Sequence, residues 1–260
     1  MDFDFSFFLV MATFITGAVW GGYVLYLRYA GHSSNANTAE EPILVEYARS
    51  FFPIVLIVLV LRSFLVEPFR IPSASMMPTL LIGDFILVNK FAYGVRLPVL
   101  ETKILQVGEP SRGDVVVFRF PNDTSLDYIK RVIGIPGDTV KYIGKQLYIN
   151  GEKIKKTRLG RYQGVGQGDE MTGATEFVEE LPHVEHNILT QRERPSINGE
   201  FIIPDGHYFV MGDNRDNSND SRYWGMVPEQ NLVGRAFYVW MNWDWENDGI
   251  GLNRLGTIIK

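Results

Sequence analysis

A chain of 260 residues is long enough for one sizeable domain plus membrane elements. Its formal net charge of −5 argues against a nucleic-acid binder, which carries a basic surplus. The absence of cysteine excludes disulfides, thiolate metal sites and cysteine nucleophiles. Four histidines, His32, His183, His186 and His207, leave little material for a zinc site or a Ser-His-Asp triad.

The run from Phe5 to Leu27, FSFFLVMATFITGAVWGGYVLYL, carries no charge. At a rise of about 1.5 Å per residue it crosses a hydrocarbon core of about 30 Å. A cleavable signal peptide would begin basic and have a shorter apolar stretch. Here Asp2 and Asp4 precede a longer run, so residues 1–27 are expected to hold a retained transmembrane helix. Gly17 and Gly21 stand at G-x-x-x-G spacing, which either seats a second helix closely or is ordinary membrane glycine. Residues 28–50 are polar and rich in small residues, a loop or a partly helical segment.

Residues 51–66, FFPIVLIVLVLRSFLV, are expected to form a second membrane helix, with a core strand or buried helix as the alternative. Pro53 suits a first helical turn, and Arg62 can snorkel to the nearer interface. Arg28 and Arg49 in the connection, against no cation in the N-terminal flank, place residues 28–50 in the cytoplasm. Everything after Val66 then lies outside, although Arg70 weighs the other way.

Beyond residue 66 strand-like runs recur: DFILVNKF, DVVVFRF, YIKRVIGI, QLYINGEKI, HYFVMG and GRAFYVWMNW, punctuated by Gly, Pro, Asn and Asp. This predicts an antiparallel, mainly β domain. Residues 139–200 are less hydrophobic, with NG and GVGQGDEMTG turn signals, and read as an inserted β-rich lobe between core segments 67–138 and 201–260.

Three segments carry candidate chemistry. IPSASMMPTL, residues 71–80, holds Ser73 and Ser75, which serve either a plain turn or a nucleophile. No G-x-S-x-G or S-x-x-K motif occurs. His207 falls at a strand start, and His183 and His186 read as surface residues of the insert. In LDYIKRVIGIPGD, strand alternation puts Lys130 on one face with Tyr128 and Val132, and Arg131 on the other. If Lys130 faces inward, desolvation lowers its pKa and the neutral amine can take a proton from a serine hydroxyl. The alternative is a solvated Lys130 beside a paired Arg131. MGDNRDNSNDSRYWG, residues 211–225, fails as an EF-hand because Arg215, Ser218 and Trp224 occupy positions that need a ligand, a glycine and a glutamate. It is a surface loop or a hydrogen-bonded scaffold.

PSASMMPTL, RGDVVVF, YIKRVIGIPGD and GDNRDNSNDSRYWG, in that order behind a membrane anchor, together resemble the bacterial type I signal peptidases, or leader peptidases. The resemblance covers Ser63 to Leu100, Arg112 to Asp138 and Tyr208 to Pro228. It implies a serine protease with a Ser-Lys dyad that uses no metal or cofactor. It also implies a β-rich catalytic core with a second β lobe inserted. By this resemblance Ser75 is the nucleophile and Lys130 the general base, and Ser73 with the Ser75 N–H forms the oxyanion hole. Ser218 orients the lysine amine, with Asp220 and Arg222 as a supporting ion pair. Phe69, Ile71, Pro72, Met76, Leu80, Ile86, Val117, Asp127, Tyr128 and Ile129 fall where the family lines its substrate pockets. The implied substrates are signal peptides of exported preproteins, cut after small-x-small sequences. The implied surroundings are membrane phospholipid and the protein-export machinery, at the outer, periplasmic face of the bacterial cytoplasmic (inner) membrane. Some family members from Gram-negative bacteria carry a cysteine pair in the outer domain. This chain has none, so that pair is no part of the chemistry. A non-catalytic membrane-anchored scaffold would leave Ser73, Ser75, Lys130 and Ser218 as coincidences. A self-cleaving Ser-Lys repressor would lack the two membrane spans and carry a DNA-binding segment.

Overall fold

A computed structural model describes residues 5–29, 41–60, 66–96, 103–244 and 249–260. His32 and Arg62 lie outside the described residues. The uncharged first run forms helix α1, Phe5–Tyr29, ending two residues past its expected end. Its polar side chains fold back on the backbone: Thr13 Oγ1 donates to Leu9 O and Thr16 Oγ1 to Ala12 O, both at 2.7 Å. Such back-bonding hides hydroxyls on a helix whose outer face, including Phe14, Ile15 and Leu25, is apolar and exposed.

Helix α2 spans Ile43–Val60, starting well before the expected residue 51. Pro42 precedes it, and its carbonyl accepts from Val45 N at 2.8 Å. Leu44, Glu46, Ala48 and Arg49 are good helix formers, and Glu46 lies in the first turn, where the helix dipole favours an anion. The earlier start puts Pro53 inside the helix rather than in its first turn. Val66, expected to close this helix, instead opens the strand Val66–Arg70. Both helices are long and apolar enough to cross a membrane. They pack on each other through Gly17: a Cβ there would stand 2.8 Å from Phe52 Cε2, whereas one on Gly21 would meet nothing within 4 Å. Trp20 completes the contact, its ring centroid 5.6 Å from that of Phe52. Only one of the two spaced glycines is therefore a seat.

The chain divides into two compact units, one holding α1, α2 and a short hairpin, Val95–Arg96 with Lys103–Leu105. The other runs from Glu67 to Tyr93 and from Val107 onward. It is mainly β, as expected. Its principal sheet has the order Val66–Arg70, Asp84–Asn89, Leu232–Asp244, Val115–Phe120, Asp123–Gly134, His207–Met211, Val227–Pro228. Val115, Val116, Val117 and Phe118 are all buried because the strand is covered on both faces. Val115 and Val117 join Ile71, Met76, Leu80, Ile86 and Ile129 in one cluster, while Val116 and Phe118 join Val132, Tyr208 and Val210 in another.

The region from 139 to about 200 is β-rich. One sheet pairs Gly199–Ile202, Thr139–Ile143, Gln146–Ile149 and Glu152–Lys153; the other pairs Lys155–Arg161, Thr175–Leu181 and Val184–Thr190. Its NG signal is a hairpin turn, with Asn150 and Gly151 at φ of 51° and 84°. The first sheet shares an apolar cluster with the principal sheet: Val140, Tyr142 and Leu147 pack with Ile133, Phe209 and Met211.

Gly17→Leu is expected to separate α1 from α2 by overpacking against Phe52, a cost of about 1–3 kcal/mol, while Gly21→Leu leaves the pair intact. Because the chain has no cysteine, one cysteine introduced into each helix reports their approach by disulfide cross-linking in detergent micelles.

Candidate active site

Ser75 lies in a 3₁₀ turn, Ala74–Met76, at the mouth of a closed loop. The ends of that loop are tied: Ile71 N donates to Asp84 O at 2.8 Å and Gly83 N to Ile71 O at 2.9 Å. Met76, Met77 and Leu80 are wholly buried and pin the turn from below. Ser73 precedes the turn in extended conformation and makes no cap hydrogen bond to it. Its Oγ lies 3.4 Å from Ser75 Oγ.

Lys130 reaches this turn from the strand Asp123–Gly134, where it sits opposite Val116. Its side chain is 4% exposed, and Nζ donates to Ser75 Oγ and to Ile129 O, each at 2.7 Å. Burial pulls the amine's pKa down to about 8, against the upward pull of Asp220 and Asp213. That pull is limited because each carboxylate is already held by a guanidinium. Arg131 donates to Asp213 through Nε at 2.8 Å and Nη2 at 2.7 Å. Arg222 does the same to Asp220, at 2.8 Å for both bonds. Both cations of the Lys130–Arg131 pair are thus buried, on opposite faces, and neither is the solvated one.

The polar run 211–225 is a scaffold, not a surface loop: Asp213, Asn214, Arg215, Ser218, Asp220 and Arg222 are all buried. Asn214 N donates to Ser75 O at 3.1 Å and Asn214 Nδ2 to Ala74 O at 3.0 Å. Gly212 N donates to Asp220 Oδ2 at 3.0 Å. Only glycine fits at 212, since a Cβ there would lie 2.3 Å from Ser218 Oγ and 2.4 Å from Ser75 O.

Several expected site residues come together differently. Ser218 is buried beside Gly212, but its Oγ has no hydrogen-bond partner among the described residues. The lysine amine donates its second hydrogen bond to the neighbouring Ile129 carbonyl instead. Ile71, Met76, Leu80, Ile86, Val117 and Ile129 form one apolar cluster, with Phe69 half-buried at its edge. Met76, Leu80 and Ile86 are fully covered, so they make its floor, while Ile129 is buried at 8% exposure and Phe69 is half-buried. Pro72 and Asp127 are exposed. Tyr128 faces away from Ile129, as strand alternation requires, and stacks on Phe120 with centroids 4.5 Å apart.

His186 is not a surface residue. It is buried between Glu179 Oε2 at 3.6 Å and Asp213 Oδ1 at 3.7 Å. Burial, helped by the nearby Arg131, pushes its pKa down to about 3, so the imidazole is neutral at ordinary pH. His183 is exposed in a hairpin turn with φ of 71°, and His207 opens a strand as expected. Sequence reasoning also missed Glu179, which is buried against Arg215. The signal was present: in TEFVEEL, Phe177, Glu179 and Leu181 share one strand face, a carboxylate set between two apolar side chains. Thr79, whose Oγ1 donates to Asp213 Oδ2 at 2.5 Å, left no such trace.

Residues 44–243 match the family described as Signal peptidase, peptidase S26. Among curated relatives, Signal peptidase I of Pseudomonas aeruginosa is 56% identical over 217 residues, covering 78% of this chain and 75% of its own length. Signal peptidase I of Buchnera aphidicola subsp. Acyrthosiphon pisum is 38% identical, covering 96% of this chain and 98% of its own length. Among solved structures, a signal peptidase I from Enterococcus faecalis aligns over 50% of this chain and 98% of its own, at 27% identity and a TM-score of 0.34.

Gly212→Ala is expected to displace Ser75 from Lys130. A misplacement near 1 Å costs about 10²-fold in rate. Proteolytic kcat measured on the folded variant, with Gly22→Ala as a control at a helical glycine where a Cβ meets nothing within 4 Å, checks this.

Proposed function

The chain belongs to the signal peptidase family, peptidase S26, and we propose that it removes signal peptides by acyl transfer through Ser75 with Lys130 as general base. The observation that carries this reading is the 2.7 Å approach of a buried amine, with a pKa near 8, to the Ser75 hydroxyl. A neutral amine has a lone pair, so the Ser75 O–H can donate to Lys130 Nζ as Oγ attacks the scissile carbonyl. The carbonyl oxygen becomes an oxyanion, and the Ser73 hydroxyl and the Ser75 N–H are the donors proposed to receive it. Collapse breaks the C–N bond, and the Lys130 ammonium returns its proton to the departing amine of the mature protein. Water then gives a proton to Lys130 and attacks the acyl-enzyme, releasing the signal peptide carboxylate and restoring Ser75. Asp220 and Arg222 act as a neutral, rigid support for the lysine. Ser218 contributes to that support by packing against Gly212.

Two membrane crossings by α1 and α2, with the catalytic region on the outer face of the inner membrane, agree with Arg28 in the last turn of α1 and Arg49 in the first half of α2, the helix ends that would then face the cytoplasm. Fourteen residues, 61–74, stand between the end of α2 and Ser75 in the chain, a tether of at most about 50 Å. A signal peptide's apolar segment lies in the bilayer, so its cut site emerges at the membrane surface. Phospholipid and the export machinery are the surroundings this arrangement implies.

Specificity follows from strand geometry. A peptide added as a β-strand presents its first and third residues before the cut to one face. Ile71 and Ile129 at that apolar face leave shallow room, suited to alanine, and the second residue points away.

Ser75→Ala and Lys130→Ala are each expected to lower cleavage of a labelled preprotein by about 10⁴-fold or more, and the double variant no further, because the pair acts as one unit. Mass spectrometry of the products locates the cut. Wild-type kcat should fall as pH drops below about 8, since protonation removes the base; a profile level down to pH 5 would exclude a neutral-lysine mechanism.

Replacing Ile71 and Ile129 together with alanine is expected to admit larger first-position residues. Each methylene of added room changes discrimination by about 10–200-fold. A preprotein set varied at the first three positions before the cut measures it, and an unchanged small-residue preference would remove both side chains from the pocket wall.

A further inference from the structure

Three consecutive residues, Asp213, Asn214 and Arg215, reach three different parts of the molecule. Asp213 binds Arg131, next to Lys130 on the core strand. Asn214 binds the Ala74 and Ser75 carbonyls. Arg215 turns into the inserted region, where it forms a fully buried two-pronged pair with Glu179, Nη1 donating to Oε1 at 2.7 Å and Nη2 to Oε2. The backbone follows the same path. Leu189 N donates to Asp213 O at 2.9 Å and Arg215 N to Leu189 O at 3.0 Å, bridging Asn214 to the insert strand Val184–Thr190. Arg215 O also accepts from Arg222 Nη2 at 2.6 Å, which joins this pair to the support behind Lys130.

The insert touches the nucleophile's turn a second way. Met171, Ala174 and Leu189, all from the insert, pack with Ala74 and Met77 in one buried apolar cluster. Ala74 and Met77 flank Ser75 and Met76, so the turn is backed by insert side chains. A side chain fixed by close packing on one side and by backbone hydrogen bonds on the other cannot drift by the fraction of an ångström that matters for proton transfer.

From these contacts we infer that the inserted region, through Glu179 and the Met171–Ala174–Leu189 backing, positions Ser75 for attack. Glu179 is a positioning residue acting through Arg215 and Asn214; it does not touch substrate. The inference rests on Ser75 being the nucleophile. The apolar pocket that would receive substrate is built from Ile71, Val117 and Ile129, none of which touches Glu179 through the contacts above. Loss of positioning should therefore lower kcat and leave KM in place. Lys130 takes its electrostatic pull from Asp220 and Asp213, not from Glu179, so the acid limb of the pH profile should stay where it is.

The test is steady-state cleavage of a synthetic preprotein by the full chain in micelles, comparing Glu179→Gln, Met171→Ala, Glu180→Gln and Ser75→Ala. Glu180 is the control, on the same strand but paired with exposed Lys155. Glu179→Gln and Met171→Ala are expected to lose kcat by about 10-fold or more, with KM within twofold of wild type and an unmoved acid limb. Glu180→Gln is expected to match wild type. If Glu179→Gln fails to fold, Met171→Ala decides alone, since it keeps every charge in place. Wild-type kcat in a folded Glu179→Gln or in Met171→Ala overturns the inference, as does a fall carried by KM. Activity in Ser75→Ala overturns instead the nucleophile assignment on which it rests.

Discussion

Everything near Ser75 depends on keeping one amine dry beside one hydroxyl. A lysine at a protein surface is an ammonium ion at neutral pH and has nothing to offer a serine proton. Removing water disfavours the ion, but any free carboxylate nearby would restore it. The structure meets both demands. Lys130 is buried, and the two carboxylates that bear on it, Asp213 and Asp220, are each closed by the two-pronged grip of an arginine. In the proposed mechanism the arginines matter beside the lysine, because a buried carboxylate without a partner would be costly and would recharge the amine.

The sheet supplies this arrangement through simple alternation. Consecutive residues on a strand point to opposite faces, so a Lys-Arg pair delivers one side chain to Ser75 and the other to the scaffold. The loop that follows the strand His207–Met211 then returns to both faces at once. Gly212 lets it approach Ser75 closely, and Asp213 receives the arginine. Rigidity arises because Asp213, Asn214 and Arg215 are each bonded to segments outside the loop.

Much of this was legible in the residues, and the illegible parts share a cause. Period-two alternation in YIKRVI correctly separates Lys130 from Arg131, and turn residues such as Asn150-Gly151 mark hairpins because they tolerate left-handed backbone. The second helix was misplaced because its apolar content rises late, while its start is set by Pro42 and by helix formers that look polar in a hydropathy scan. His186 was misjudged because its burial depends on Asp213, distant in sequence, and no local pattern reports a tertiary neighbour. The position of Ser218 was less legible for a related reason: its Oγ makes no hydrogen bond among the described residues, and the amine's partners, Ser75 Oγ and Ile129 O, are fixed only in the assembled core.

The strand Leu232–Asp244 lies between Asp84–Asn89 and Val115–Phe120, so two segments that leave the ribosome early are held together by one that leaves it late. The loop holding the Ser75 carbonyl is also a late arrival. During synthesis the serine and the lysine are both present long before the framework that brings them within 2.7 Å of each other. A nascent chain is therefore a protease in composition only. Its order of manufacture delays assembly of the site until the loop after His207–Met211 and the strand Leu232–Asp244 have been made.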